Sequence, residues 1–199
     1  MKTRLKLYLD VDDTILDSTE AVVEILNEKY PENTHTADDI VSTFEEAYPK
    51  MKPEEMATLF SSETFFERVH FNKKFISFLK ENRDKFDFAI VTKGNAENLR
   101  LKKKFFATFL PEATVIGLPF EAGKSKFDKS FVDMSDGIQI DDRCECLDGS
   151  NAHMKCLITN GRRTKWNIYR GNGESVYIFT DWGEIGEFLN FLYDEREFY

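Results

Sequence analysis

The sequence predicts an α/β chain: a parallel sheet covered by helices on both faces, with a small helical cap inserted after the first strand. Three observations carry this. Short apolar runs recur at 5–11, 86–92 and 137–140, the length expected of strands buried on both sides. Amphipathic helical stretches alternate with the later runs, the pattern of parallel strands joined by crossover helices. Between the first run and the second, residues 17–72 carry helix signals and no strand signal. That stretch is too long for a simple crossover and reads as an insertion.

The elements follow in order. Residues 4–11 (RLKLYLDV) form the first strand. Ser18 or Thr19 then starts a helix with Ala21, Val22, Ile25 and Leu26 on one face. Thr36-Ala37-Asp38-Asp39 has the form of a capping box, Pro53 suits the first turn of a helix, and Ser62 caps a short helix through Phe65, Phe66 and Val69. Phe75, Phe78 and Leu79 lie on one face of the next helix, before the strand at 86–92. A basic amphipathic helix spans 96–110, and a short strand lies at 114–117. The strand at 137–140 ends on Asp141-Asp142; strands at 155–159 and 175–179 complete the set, and a closing helix begins at Asp181. The segment 161–174 (GRRTKWNIYRGNGE) is expected to be loose. The domain expectation is a core of residues 1–16 plus 73–199 and a cap of residues 17–72.

Composition sets limits on partners. A chain of 199 residues fits one domain, with or without an inserted subdomain. The net charge of -9 disfavours a nucleic-acid polymer as partner. No apolar run is long enough to cross a bilayer, and the N-terminal stretch lacks a signal-peptide core, so no membrane partner is expected. Cys144, Cys146 and Cys156 make no even disulfide set, which implies a reducing, cytoplasmic setting. With His153 they give a C-x-C-x6-H-x2-C spacing, not that of a common zinc finger. The 19 Phe exceed what one core stripe takes, so some are expected at a pocket.

Acidic and hydroxyl residues cluster where strands end. Asp10, Asp12 and Asp13 follow the first strand, Thr92 ends the second, and Asp141 and Asp142 end a later one. In open α/β sheets the ligand crevice lies beyond the carboxyl ends of the strands, so one site can collect all of them. Carboxylates brought together repel or hold protons unless a cation sits among them. An all-oxygen set suits Mg²⁺, which binds substrate phosphate.

On these residues the chain resembles the haloacid-dehalogenase-like hydrolase superfamily. Leu7-Tyr8-Leu9-Asp10-Val11-Asp12-Asp13-Thr14 is similar to its first motif, Ala89-Ile90-Val91-Thr92 to its second, a lysine to its third and Ile140-Asp141-Asp142 to its fourth. The resemblance implies a Rossmann-like core and a Mg²⁺-dependent phosphomonoester hydrolase. In that reading Asp10 is nucleophile and metal ligand. Asp12 is the general acid and base and gives its backbone carbonyl to the metal, Asp142 binds the metal with support from Asp141, and Thr92 contacts phosphate. Lys124, Lys126 and Lys129 all stand at plausible distances for the third motif. Asp128-Lys129-Ser130-Phe131-Val132 together with Ile140-Asp141-Asp142-Arg143 is most similar to the 5′(3′)-deoxyribonucleotidases, which selects Lys129.

That subfamily resemblance extends to Ser62-Glu63-Thr64-Phe65-Phe66, to Cys156–Asn160 and to Tyr177–Trp182. It implies a small phosphorylated substrate, a nucleotide, with Lys93 adding a phosphate contact and Phe65 and Phe66 meeting the substrate; Phe44 is a further stacking candidate. A homodimer is left open. Other expectations on the same motifs are a phosphatase for another metabolite, such as a sugar phosphate, or a non-catalytic binding protein. The run Arg100, Lys102, Lys103, Lys104 is expected to face solvent, with one lysine in reach of the phosphate pocket.

Overall fold

The computed structural model describes residues 3–123, 125–169 and 175–195. Six strands form one parallel sheet: β1 (Leu5–Leu9), β2 (Phe86–Gly94), β3 (Thr114–Pro119), β4 (Gly137–Asp141), β5 (Met154–Ile158) and β6 (Val176–Phe179). Their order is β3-β2-β1-β4-β5-β6, and every neighbouring pair is parallel. The chain winds outward one way through β2 and β3, then the other way through β4 to β6, so the switch point lies between β1 and β4. Ligand crevices open at this place in doubly wound sheets. Every residue of β4 is buried, as a central strand with helices on both faces requires.

Helices α5 (Lys73–Asn82), α6 (Ala96–Phe109), α7 (Cys144–Leu147) and α8 (Trp182–Glu195) surround the sheet. Trp182 of α8 is buried against Phe75 and Phe78 of α5, with ring centroids 4.8 and 5.4 Å away, and its indole N–H donates to the Thr14 carbonyl. A large aromatic surface is thus buried while its one polar atom stays satisfied.

Between β1 and α5 the described elements are all helical. They are α1 (Ser18–Lys29), a short 3₁₀ turn (Ala37–Asp39), α2 (Phe44–Ala47), α3 (Pro53–Leu59) and α4 (Glu63–Arg68). The Ser62 hydroxyl accepts the Phe65 N–H at 3.1 Å, capping α4 as expected. This block packs directly on the core. Phe66 lies against Phe105 of α6, and the Asn98 side chain, also on α6, donates to the Phe60 carbonyl.

Two sequence expectations change. Lys102, in the run expected to face solvent, is only 1% exposed and is the one lysine of that run in reach of the pocket. The segment expected to be loose is ordered over 161–169, where Thr164 and Asn167 are buried; residues 170–174 fall outside the described residues.

Candidate active site

Sheet register builds the site. Leu9 pairs with Ile90 on one side and Ile140 on the other. The next residues, Asp10 and Asp141, therefore leave the sheet side by side, and the Asp10 N–H donates to the Ile140 carbonyl at 3.0 Å. Thr92 lies two positions beyond Ile90 on the other flank. Carboxylate oxygens of Asp10, Asp141 and Asp142 all fall within 4.8 Å of one another.

Lys129, 2% exposed, spans two of these acids: its ammonium donates to Asp10 at 2.5 Å and to Asp141 at 2.6 Å. Three carboxylates against one ammonium leave an excess of negative charge in a buried place. Burial pushes the Asp10 carboxyl up to about 6, with the neighbouring Asp141 and Asp12 charges adding to it and Lys129 opposing. Burial likewise holds Asp142 well above the usual carboxylate range, against the opposing charge of Arg143. For Lys129 burial works against the charge, but Asp10 and Asp141 outweigh it and keep its pKa well above the ordinary lysine value.

This donor set fits a hard divalent cation. The cluster is all oxygen and close-set, with carboxyls that burial and mutual repulsion make hold protons more tightly than usual. The partners distinguish its members. One Asp141 oxygen accepts from Lys129, and from the Gln139 amide at 3.4 Å, while the other accepts the Arg143 N–H at 3.1 Å. Asp10 and Asp142 are less fully engaged, so they are the better placed ligands and Asp141 the support. Among the lysines considered for the third motif, Lys129 makes the carboxylate contacts, Lys126 lies exposed over the Phe127 ring, and Lys124 falls outside the described residues.

A second lysine completes the arrangement. The Lys102 ammonium donates to Asp12 at 2.6 Å and to the Thr92 hydroxyl at 2.8 Å. Asp12 also accepts from Ser18 at 2.8 Å. Because an ammonium only donates, the Thr92 oxygen is the acceptor there, and its own O–H remains to donate elsewhere. Asp13 turns away: it accepts the Thr19 N–H at 2.8 Å and the Thr19 hydroxyl, serving the first turn of α1. It does so at φ 54°, left-handed backbone that Asp tolerates better than most residues.

Asp10, Asp12, Thr92, Lys129 and Asp142 line a cavity of about 520 Å³, within the usual range for a small-molecule site. Three expected substrate contacts are placed differently. Phe65 is wholly buried between Phe60 and Phe66, and Phe66 packs on Phe105; neither lines the cavity, because they serve as the hydrophobic side of α4. Phe44 and Phe60 stand there instead. The Lys93 ammonium is taken up by three carbonyls of the loop after β3: Ala122, Ser125 at 3.1 Å and Asp128 at 2.9 Å. It fixes the loop that delivers Lys129. Trp166, unremarked in the sequence, donates its indole N–H to Asp142 at 2.8 Å. An isolated Trp in a polar segment was the available signal.

No protein-family model matches the chain, and no curated protein matches it in sequence. Solved structures do match in fold. A haloacid dehalogenase-like family hydrolase from Streptococcus pneumoniae superposes with a TM-score of 0.56 at 12% identity, over 94% of this chain and 98% of that one. A HAD hydrolase from Deinococcus radiodurans with bound phosphate and sodium gives 0.55 at 11%, over 93% and 94%. The magnesium-bound HAD hydrolase YfnB from Bacillus subtilis gives 0.52 at 18%, over 95% and 100%. The fold is therefore the Rossmann-like fold of haloacid-dehalogenase-type hydrolases. Within it, the chain gathers a largely buried acidic trio and two buried lysines at the switch point of the sheet.

Proposed function

We propose that the protein hydrolyses phosphomonoesters through an aspartyl-phosphate on Asp10. The observation that carries this is the convergence of Asp10, Asp141 and Asp142 within 4.8 Å, with Lys129 joined to two of them. In this reading Asp10, Asp142 and the supporting Asp141 hold Mg²⁺, which when bound neutralises their charge and that of a phosphate oxygen.

The Asp10 carboxylate attacks phosphorus as the bond to the leaving oxygen breaks. Asp12 gives that oxygen a proton and, in the second half, takes one from the water that cleaves the acyl-phosphate. Lys129 and the Thr92 hydroxyl bind phosphate oxygens, and Lys102 fixes both Thr92 and Asp12 in position. The helical block of residues 17–72 acts as the cap, supplying Phe44 and Phe60 to the cavity and excluding water.

Within that chemistry the substrate is proposed to be a deoxyribonucleoside monophosphate, supported by the sequence resemblance and by aromatic rings along the cavity. Phosphate release from a panel of nucleotides and sugar phosphates, with Mg²⁺ and with chelator, tests both levels. Metal-dependent release with nucleotides preferred is the expected result. A clear preference for sugar phosphates would end the nucleotidase reading and leave the mechanism standing.

A further inference from the structure

Arg143 follows Asp142, and its guanidinium carbon lies 4.5 Å from the centroid of the Phe127 ring and 4.9 Å from that of Trp166. Lys126 brings a second cation to the same ring, with Nζ 4.9 Å from the Phe127 centroid. All four residues line the cavity that holds Asp10 and Lys129. The buried lysines around the site are committed: Lys129 to Asp10 and Asp141, Lys102 to Asp12, Lys93 to loop carbonyls.

Arg143 is not. Among the described residues its side chain makes no hydrogen bond, and its ion-pair partner Glu145 is 3.8 Å away, beyond hydrogen-bond range. The rings hold the guanidinium in place but satisfy none of its five N–H donors. Two cations set against one ring raise the local positive potential, which favours an anion there. A planar, pre-positioned guanidinium suits an oxyanion that can accept two hydrogen bonds.

We propose that Arg143, assisted by Lys126, determines specificity by receiving a second oxyanion, a carboxylate or a phosphate, on the leaving part of the substrate. The substrate class is then a small phosphomonoester with two anionic groups; a nucleotide meets it when it carries a second phosphate. This inference rests on the phosphatase reading alone and is an alternative to the nucleoside monophosphate substrate, which brings Arg143 no second anion.

The test uses substrate pairs that differ in that one group: a deoxyribonucleoside 3′,5′-bisphosphate against the 5′-monophosphate, and phosphoglycolate against ethyl phosphate. The quantity read is the ratio of kcat/KM within each pair, which cancels any shared effect of a substitution on the neighbouring Asp142. The wild type is expected to favour the doubly anionic member of at least one pair, and which pair shows it separates phosphate from carboxylate. Arg143→Met should reduce that ratio about 10- to 100-fold, Arg143→Lys should restore part of it, and Lys126→Met should lower it less. A ratio unchanged by Arg143→Met, or no preference in the wild type, overturns the proposal. If none of the four compounds is hydrolysed, and none of the nucleotide and sugar phosphate panel either, the phosphatase reading fails separately. Calorimetry of the same pairs then decides on Arg143, with binding of the second anion that Arg143→Met leaves intact counting against it.

Discussion

Two regions reach Asp142, and they are built by different means. The crest of the sheet sets it from below: β4 is paired with β1 and β5, and the register that places Leu9 beside Ile140 also places Asp10 beside Asp141. The strap formed by residues 159–169 reaches it from the side, through single bonds. Trp166 donates to Asp142, and its carbonyl accepts the Cys144 N–H at 3.0 Å. The Lys165 N–H donates to the Val41 carbonyl in the helical block at 2.8 Å, and the Arg162 side chain reaches both the Ala37 carbonyl and Asp13. The crest is fixed by a cooperative ladder and carries the groups proposed to react. The strap is held by separate contacts to core and helical block, so it can adjust an acid's environment without disturbing the sheet. Chemistry placed on rigid strand ends and tuning placed on loops is a division that this fold makes easy.

The largest effects should come from breaking the crest. Asp10→Asn removes the proposed nucleophile while keeping its shape, and phosphate release is expected to fall by about 10⁴-fold or more with the circular dichroism spectrum unchanged. Residual turnover near the wild-type rate would remove Asp10 from the chemistry. Lys129→Met leaves Asp10 and Asp141 facing each other without their shared ammonium. Removing one partner of a buried pair costs about 3–5 kcal/mol, which urea unfolding would register as a shifted midpoint with little change in slope.

The same contrast explains what could be read from the residues alone. Strand ends are legible because apolar runs announce strands, and carboxylates directly after them fall at one edge of a parallel sheet; Asp10, Asp12, Thr92, Asp141 and Asp142 were all visible this way. Asp13 shows the limit: adjacency to the strand did not reveal that its side chain would turn to the start of α1. Lys93 is taken from its expected phosphate contact, and Lys102 proves to be the lysine of the basic run in reach of the pocket, because a lysine's partners are set by residues distant in sequence. Lys93 meets a loop some thirty residues on, and Lys102 lies on a turn of α6 that faces the crevice instead of solvent. Phe65 and Phe66 were indistinguishable from Phe44 and Phe60 by type, and only helix orientation separates core from cavity. The strap was hidden because its polar composition signals a loop whether or not each polar group finds a partner.

Metal and proton should compete at the crest, and not at the strap. Asp10 carries a carboxyl raised from 3.8 to about 6, and Asp142 is raised in the same direction. An acid with a folded pKa above its unfolded one binds the proton more tightly when folded. Its contribution to stability is greatest below about pH 4 and falls as pH rises through about 6. Mg²⁺ held there as proposed would reverse this by stabilising the ionised trio. At pH 7.5 and a hundredfold excess over Kd, it should add about 2.7 kcal/mol, or roughly 5–10 °C in Tm for a chain of this size. The gain should shrink as the pH falls below about 6. A Mg²⁺ effect on Tm that is equal at pH 5 and pH 7.5 would contradict an ion held by Asp10 and Asp142.

The smallest effects belong to the strap, and they sharpen the comparison because they should appear in affinity rather than in folding. Trp166→Phe keeps an aromatic ring beside Arg143 but deletes the N–H that Asp142 accepts. Losing an outer partner of a metal-binding carboxylate lowers metal affinity by about 10-fold or somewhat more, so the Mg²⁺ concentration giving half-maximal Tm shift should rise by that factor. The unfolding midpoint without metal should move by no more than about 1 kcal/mol. At the other end of the strap, the exposed Lys165–Glu46 pair at 3.1 Å is worth little by itself, and Lys165→Met should change stability by under about 0.5 kcal/mol. The informative result is the pair of numbers from Trp166→Phe: a large stability loss with unchanged metal affinity would make the strap part of the scaffold, and the reverse makes it the regulator of Asp142.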